Sequence, residues 1–232
     1  MNPKQPQQAF LLAGGPGGDN RVVLRVISEK LRELPHAKAA YIGTANGDRY
    51  PFFLIMRTLL HQAGAETVDL VPLAKERIDR QKAISTLYAA DIIFLSGGEV
   101  EDGMKWLHRH DLTSTLVSLY GEGKLFIGVS AGAIMLGSHW VRWDDPDDQS
   151  TANLFPCLDI VPTVFDTHAE DEDWIELKTV LRLQGEGSEG IGLPRGCIVK
   201  GDSQGNLEKV NGNHLIFRYE QGSFTIHQHE GV

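Results

Sequence analysis

The chain has 232 residues, 41% hydrophobic and 23% charged, with a formal net charge of -9, so it is long and apolar enough to bury a sizeable core. The acidic balance and the absence of a long basic run exclude electrostatic binding of nucleic acid or of an anionic membrane as the main activity. Two cysteines, Cys157 and Cys197, make no disulfide framework or close-spaced zinc pattern, no apolar run reaches transmembrane length, and the polar start "MNPKQPQQAF" lacks the apolar centre of a signal peptide; a cytoplasmic protein is expected.

In chain order, residues 1–8 read as a flexible lead-in, and "AFLLAGG" reads as a buried strand ending in glycines. The stretch 19–34 carries apolar residues at helical spacing behind an acidic start and predicts a helix. A second strand follows over 37–42, then a helix with Pro51 in its first turn and Gly64 near its end. "ETVDLVPL" predicts a third strand, "ERIDRQKAISTLYAA" a helix and "DIIFLSGG" a fourth strand. "EDGMKWLHRH" and "LTSTLVSLYGEG" predict two short helices, and "KLFIGVS" a fifth strand running into a helix at Ala131. Strands that are continuous Ile, Leu, Val and Phe runs, alternating with helices, signify a parallel sheet buried on both faces. The expected architecture is a three-layer α/β/α sandwich with a mostly parallel sheet. "GIGLPRGCIVKG", "NLEKVNG" and "HLIFRYEQGSFTIHQHE" are short strands with Gly and Asn turns, expected as antiparallel hairpins at the sheet edge. With no repeat or linker, one domain over 1–232 is expected.

The segment "LFIGVSAGAIML", Leu125 to Leu136, holds the pattern Gly-x-Ser-x-Gly around Ser130. A buried serine that caps a helix produces the same letters. A nucleophile elbow requires an apolar strand before the serine, a helix after it and small neighbours where the backbone passes close to itself; Gly128, Ala131, Gly132 and Ala133 supply the last. In an open parallel sheet ligands sit at the carboxyl ends of the strands, where Gly14 and Gly15, Gly97 and Gly98, and the Ser130 turn are expected to meet. The amides of Ala131 and Gly98 are placed to receive an oxyanion.

Four segments together resemble the S51 peptidases, the family of the aspartyl dipeptidases (peptidase E) and the cyanophycinases. They are "GVSAGA" at 128–133, "FLSGGEVEDGMKWL" at 94–107, "LDIVPTVFDTH" at 158–168 and "IGLPRG" at 191–196. The resemblance covers nearly the whole chain and implies a fold similar to that of class I glutamine amidotransferases. It implies Ser130 as nucleophile, His168 as general base, and Gly98 and Ala131 as oxyanion donors. An imidazole partner is what a serine hydroxyl needs in order to react.

Two positions depart from the family pattern. Where dipeptidase-like members carry a glutamate in the motif resembling "IGLPRG", this chain has Arg195, and where the family usually has Gly-Gly-Asn it has Gly-Gly-Glu, with Glu99 at the expected pocket mouth. An arginine cannot orient a neutral histidine. Either the acid comes from elsewhere, or a Ser-His dyad operates, or the chain has lost activity and binds a small ligand or a partner. Asp166, two residues before His168 and on its face of an extended segment, is the first candidate acid; Glu170, Asp171 and Asp144 are others. Arg195 pairs with a substrate carboxylate, with Glu99 or with solvent.

Other features carry less. The pairs His108/His110 and His227/His229 lack a clear third ligand, so no metal is expected, and no cofactor is. "GGPGGD" at 14–19 lacks the Lys-Ser/Thr of a phosphate loop and reads as a tight turn beside the crevice. The acidic stretch at 144–150 reads as a solvated loop or a lid, with Trp140 and Trp143 as packing residues. The expected activity is serine hydrolysis of a peptide or isopeptide bond in a small peptide, Asp-containing peptides among the candidates, by a monomer or homodimer.

Overall fold

A computed structural model describes residues 8–14 and 20–228. The expected lead-in at 1–8, except its last residue, most of the "GGPGGD" turn and His229 lie outside the described residues. In chain order the first elements are β1 (Ala9–Leu12), α1 (Asn20–Leu31), β2 (Lys38–Ile42), α2 (Tyr50–Ala63), β3 (Thr67–Val71), α3 (Arg80–Ala89) and β4 (Ile92–Leu95). They continue with α4 (Val100–Arg109), α5 (Thr113–Gly121), β5 (Leu125–Val129) and α6 (Ala131–Leu136). The rest are β6 (His139–Trp143), β7 (Ala152–Pro156), β8 (Val164–Thr167), α7 (Ile175–Gln184), β9 (Glu189–Leu193), β10 (Ile198–Gly201), β11 (Leu207–Asn211), β12 (Leu215–Glu220) and β13 (Ser223–Gln228).

A seven-stranded sheet runs in the order β11-β10-β1-β5-β4-β2-β3. Its five strands from β1 to β3 are parallel, and β10 and β11 join antiparallel beside β1. Successive side chains point to opposite faces, and the inner parallel strands bury both, while the edge strand β3 leaves Asp69 exposed. Phe10, Leu12, Tyr41, Phe94 and Ile127 pack with Ile27, Leu31, Phe53 and Leu60 of α1 and α2. Leu11, Ile42, Leu95 and Phe126 face the opposite layer, with Leu87, Leu107, Leu116 and Met135 of α3 to α6. The continuous apolar strands are therefore the middle layer of an α/β/α sandwich.

The last third divides between sheets. The hairpin β10–β11 extends the main sheet, as expected, but β12–β13 pairs with β9 in a separate four-stranded sheet of order β13-β12-β9-β8, where β8 and β9 are parallel. The "GLPRG" turn thus does not join a hairpin: it carries the chain from one sheet to the other, and the Ala13 amide donates to the Cys197 carbonyl at 2.9 Å where β10 reaches β1. A third core holds this part together, with Val164, Trp174, Leu177, Leu181 and Phe217 buried against Val141. The ribbon β6–β7 lies beside it, and the acidic stretch at 144–150 is its tip, folded on itself by Asp148 accepting from the amide and hydroxyl of Ser150 at 2.9 and 2.7 Å.

Candidate active site

Ser130 stands at the end of β5, on the first residue beyond the strand, and caps α6 with φ 54° and ψ -124°. For a residue with a Cβ this backbone costs on the order of 1–3 kcal/mol and persists only when neighbours impose it. They do: the Ser130 amide donates to the Leu12 carbonyl at 2.9 Å, and its carbonyl accepts from the amides of Ala133 and Ile134 at 2.8 and 3.2 Å. The two glycines of the motif are required by proximity. A Cβ on Gly128 would lie 2.4 Å from the Gly132 carbonyl oxygen, and one on Gly132 would lie 2.2 Å from that of Leu95.

His168 comes from the other sheet. Its amide donates to the Leu193 carbonyl at 2.8 Å, extending the β8–β9 ladder by one residue, and its φ of 46° then turns the chain away. The imidazole reaches across the gap between the sheets, placing Nε2 2.8 Å from Ser130 Oγ. When Nδ1 carries the ring proton, Nε2 accepts from the serine hydroxyl, the arrangement needed to draw that proton away.

The candidate acids are engaged elsewhere. Asp166 is 3% exposed; its Oδ1 accepts from the Thr167 amide at 2.6 Å, and its Oδ2 is buried without a hydrogen-bond partner. The turn at His168 breaks the two-residue alternation that would have aligned the pair. Burial, then the nearby charge of Glu176, pushes the Asp166 carboxyl up to about 8, so it is largely neutral at pH 7. Asp171 Oδ2 accepts from Arg195 Nη2 at 2.5 Å, and Glu170 Oε1 from the Arg195 amide at 2.7 Å. Asp144 accepts from Arg142 and Asn153 at 3.3 and 3.2 Å. Among the described residues, no carboxylate hydrogen-bonds to His168 Nδ1. Arg195 is exposed and paired with Asp171 rather than with Glu99, and it neither lines the cleft nor separates His168 from Ser130.

Gly98 and Ala131 both border the cleft beside Ser130. Gly98 has φ 143°, and a Cβ there would fall 2.0 Å from the Ala45 carbonyl oxygen. Ala131 opens α6, where an amide has no intrahelical acceptor. Asn46 completes this side of the site, and no motif in the sequence marks it. Its Nδ2 donates to the Gly97 carbonyl at 2.9 Å and to Ser96 Oγ at 3.0 Å. Because the peptide is planar and trans, holding the Gly97 carbonyl on Asn46 aims the Gly98 amide the opposite way. The only sequence signal was an Asn in a Gly-flanked turn after β2; its partnership with Gly97 spans 51 positions.

The cleft has a volume of about 470 Å³. Gly98, Ser130, Ala131 and His168 border it, with Trp140 and Trp143 from β6 and with Glu99, Glu101, Glu172 and Glu176. Burial pushes the thiols of Cys157 and Cys197 up to about 12, which leaves neither as a nucleophile at neutral pH. His110 is buried and its Nε2 lies 2.9 and 3.0 Å from the carbonyls of Leu73 and Lys75, a structural use.

Residues 9–206 match peptidase family S51. No curated protein matches the sequence. Among solved structures, a peptidase from an acI-B1 Actinobacterium superposes with a TM-score of 0.64 at 14% identity, covering 98% of this chain and 96% of its own. A putative peptidase E protein from Listeria monocytogenes EGD-e superposes with a TM-score of 0.62 at 17% identity, covering 88% of this chain and 99% of its own. At such identities the likeness is one of fold.

Proposed function

The chain belongs to peptidase family S51, and on that premise we propose that it is a serine hydrolase cleaving a peptide or isopeptide bond in a small substrate, working through a Ser130–His168 dyad. The observation that carries this is the 2.8 Å separation of Ser130 Oγ from His168 Nε2 with the serine held at a positive φ.

In this reaction His168 Nε2 takes the hydroxyl proton as Oγ bonds to the carbonyl carbon. The carbonyl π electrons move to oxygen, and the amides of Ala131 and Gly98 receive the oxyanion. Collapse of the adduct breaks the C–N bond, the imidazolium gives its proton to the leaving amine, and an acyl-enzyme remains. Water then adds, its proton passing to His168, and Ser130 departs as the hydroxyl. Without a carboxylate on Nδ1 the imidazolium is less stabilised, so turnover is slower than a full triad would allow, by up to about 10⁴-fold on the scale of an orienting-acid substitution. The compartment proposed is the cytoplasm, consistent with two free cysteines.

Arg195 in place of the family's acid favours a second reading, a relative that binds a small ligand or a partner without turnover. A fluorophosphonate probe separates the two. We expect a covalent adduct on the wild-type protein, none on Ser130→Ala and at least about 100-fold slower labelling of His168→Ala. A wild-type protein that takes no probe while remaining folded sinks the hydrolase in favour of the binder.

A further inference from the structure

The lining of the cleft is one-sided in charge. Glu99 and Glu101 stand at the start of α4, beside Gly98; Glu172 and Glu176 approach from the turn before α7 and from its first turn; Asp166 comes from β8. Among the described lining residues the only Lys or Arg is Arg142, which is already paired with Asp144 at 3.3 Å and stacked over Phe155 at 5.9 Å. One of these acids has an unmet need. Asp166 is 3% exposed, borders the cleft, and leaves Oδ2 buried with no hydrogen-bond partner. A buried polar atom without a hydrogen-bond partner is unfavourable, and although the Leu177 amide faces the carboxyl from α7, Oδ2 itself is left without a partner. The α7 N-terminus favours Glu176, but it accounts for one carboxylate out of five.

Resting on the hydrolase reading above, we infer that the cleft carries a subsite for a cationic group of the substrate, an ammonium or a guanidinium, with Asp166 Oδ2, Glu172 and Glu176 as its acceptors. A donor-only cation favours the ionised form of Asp166, so Oδ2 gives up its proton to solvent and becomes an acceptor as the cation arrives, and the carboxylates around the partly enclosed cleft offset the cation's desolvation. The flat indole faces of Trp140 and Trp143 in the same lining suit such a group as well. An acidic substrate side chain would meet like charge on both sides of the cleft, so the preference is for basic rather than Asp-containing peptides.

The test is a dipeptide panel read as kcat/KM: Lys-Ala and Ala-Lys against the neutral near-isosteres norleucyl-Ala and Ala-norleucine and against Glu-Ala and Ala-Glu, each with a free and an acetylated amino terminus. At least one lysine peptide should exceed its norleucine counterpart by about tenfold, the size of one charge-assisted hydrogen bond, and the glutamate peptides should fall below both. Loss of cleavage on acetylation alone assigns the same subsite to the terminal ammonium. Equal rates across charge and across acetylation overturn the inference while fluorophosphonate labelling of Ser130 still upholds the hydrolase. Glu172→Gln with Glu176→Gln should shrink the lysine-to-norleucine ratio at least about fivefold; an unchanged ratio overturns the assignment of these residues. Should the protein label nothing and cleave nothing, calorimetric titration with agmatine and n-pentylamine against pentanoate decides the subsite. Tighter binding of the cations by wild type than by the double variant upholds it, and no difference overturns it.

Discussion

The surroundings of Ser130 are set in part by residues outside the cleft lining. Asn46 is the clearest: by donating to the Gly97 carbonyl at 2.9 Å it fixes the direction of the Gly98 amide. Asn46→Ala should lower kcat on the order of 10²-fold with KM changed little, the pattern of an interaction felt mainly in the transition state; steady-state kinetics on a cleaved dipeptide checks it. Asp166 acts in the opposite sense, on stability. Its carboxyl is raised from 3.8 to about 8 by burial first and Glu176 second, so below pH 4 both folded and unfolded chains hold the proton. Between there and pH 8 only the folded chain does, and stability is lost as pH rises through that window. Asp166→Asn removes the titration and keeps the acceptor for the Thr167 amide. Thermal unfolding should show the variant gaining a few degrees on wild type at pH 9 relative to pH 5.

At the scale of elements, the contact of α6 with the ends of β4 and β5 is set by the absence of side chains. A methyl group on Gly132 has the Leu95 carbonyl oxygen at 2.2 Å and the Ser96 carbonyl oxygen at 2.9 Å, both backbone atoms of the β4 end that cannot swing aside. Gly132→Ala should therefore push α6 off the sheet and cost about 3 kcal/mol, the upper range of overpacking, seen as a lower urea midpoint, with Ser130 labelling lost alongside. The small residues of the motif were legible in the sequence because one of their constraints, Gly128 against the Gly132 carbonyl oxygen at 2.4 Å, is local to the turn. The ribbon β6–β7 was not. Its strands are half-exposed, with Trp140, Arg142 and Trp143 partly covered, so neither a clean alternation nor an apolar run marks it, and its pairing becomes evident only where it packs on α7.

At the scale of the whole molecule, the site is a gap between two sheets, with Ser130 on one and His168 on the other. What holds the second sheet in place is the third core, where Phe217 is fully buried and fills the space over Gly192 beside Trp174; a Cβ on Gly192 would lie 2.9 Å from each ring. Phe217→Ala should cost about 3–5 kcal/mol by the cavity it leaves, measured by denaturant unfolding. Because β12 backs β9 and β9 holds the His168 amide through Leu193, labelling of Ser130 should slow in the same variant even where the chain is still folded. Among the described residues, no helix is long and apolar enough to cross a membrane.

By itself the sequence determined the parallel strands, the helices between them and the strained serine turn, since each depends on neighbours a few residues away: apolar runs, helical spacing, glycines at close approaches. It also named His168, through a resemblance between motifs. Only the tertiary structure decided which acids the histidine lacks, that Arg195 turns to Asp171, that Asn46 holds Gly97, and that an acceptor of Asp166 is left open in an acidic cleft. Those are contacts between sheets or between distant turns, and a side chain's partner there is fixed by how the layers pack, which no local pattern of residues records.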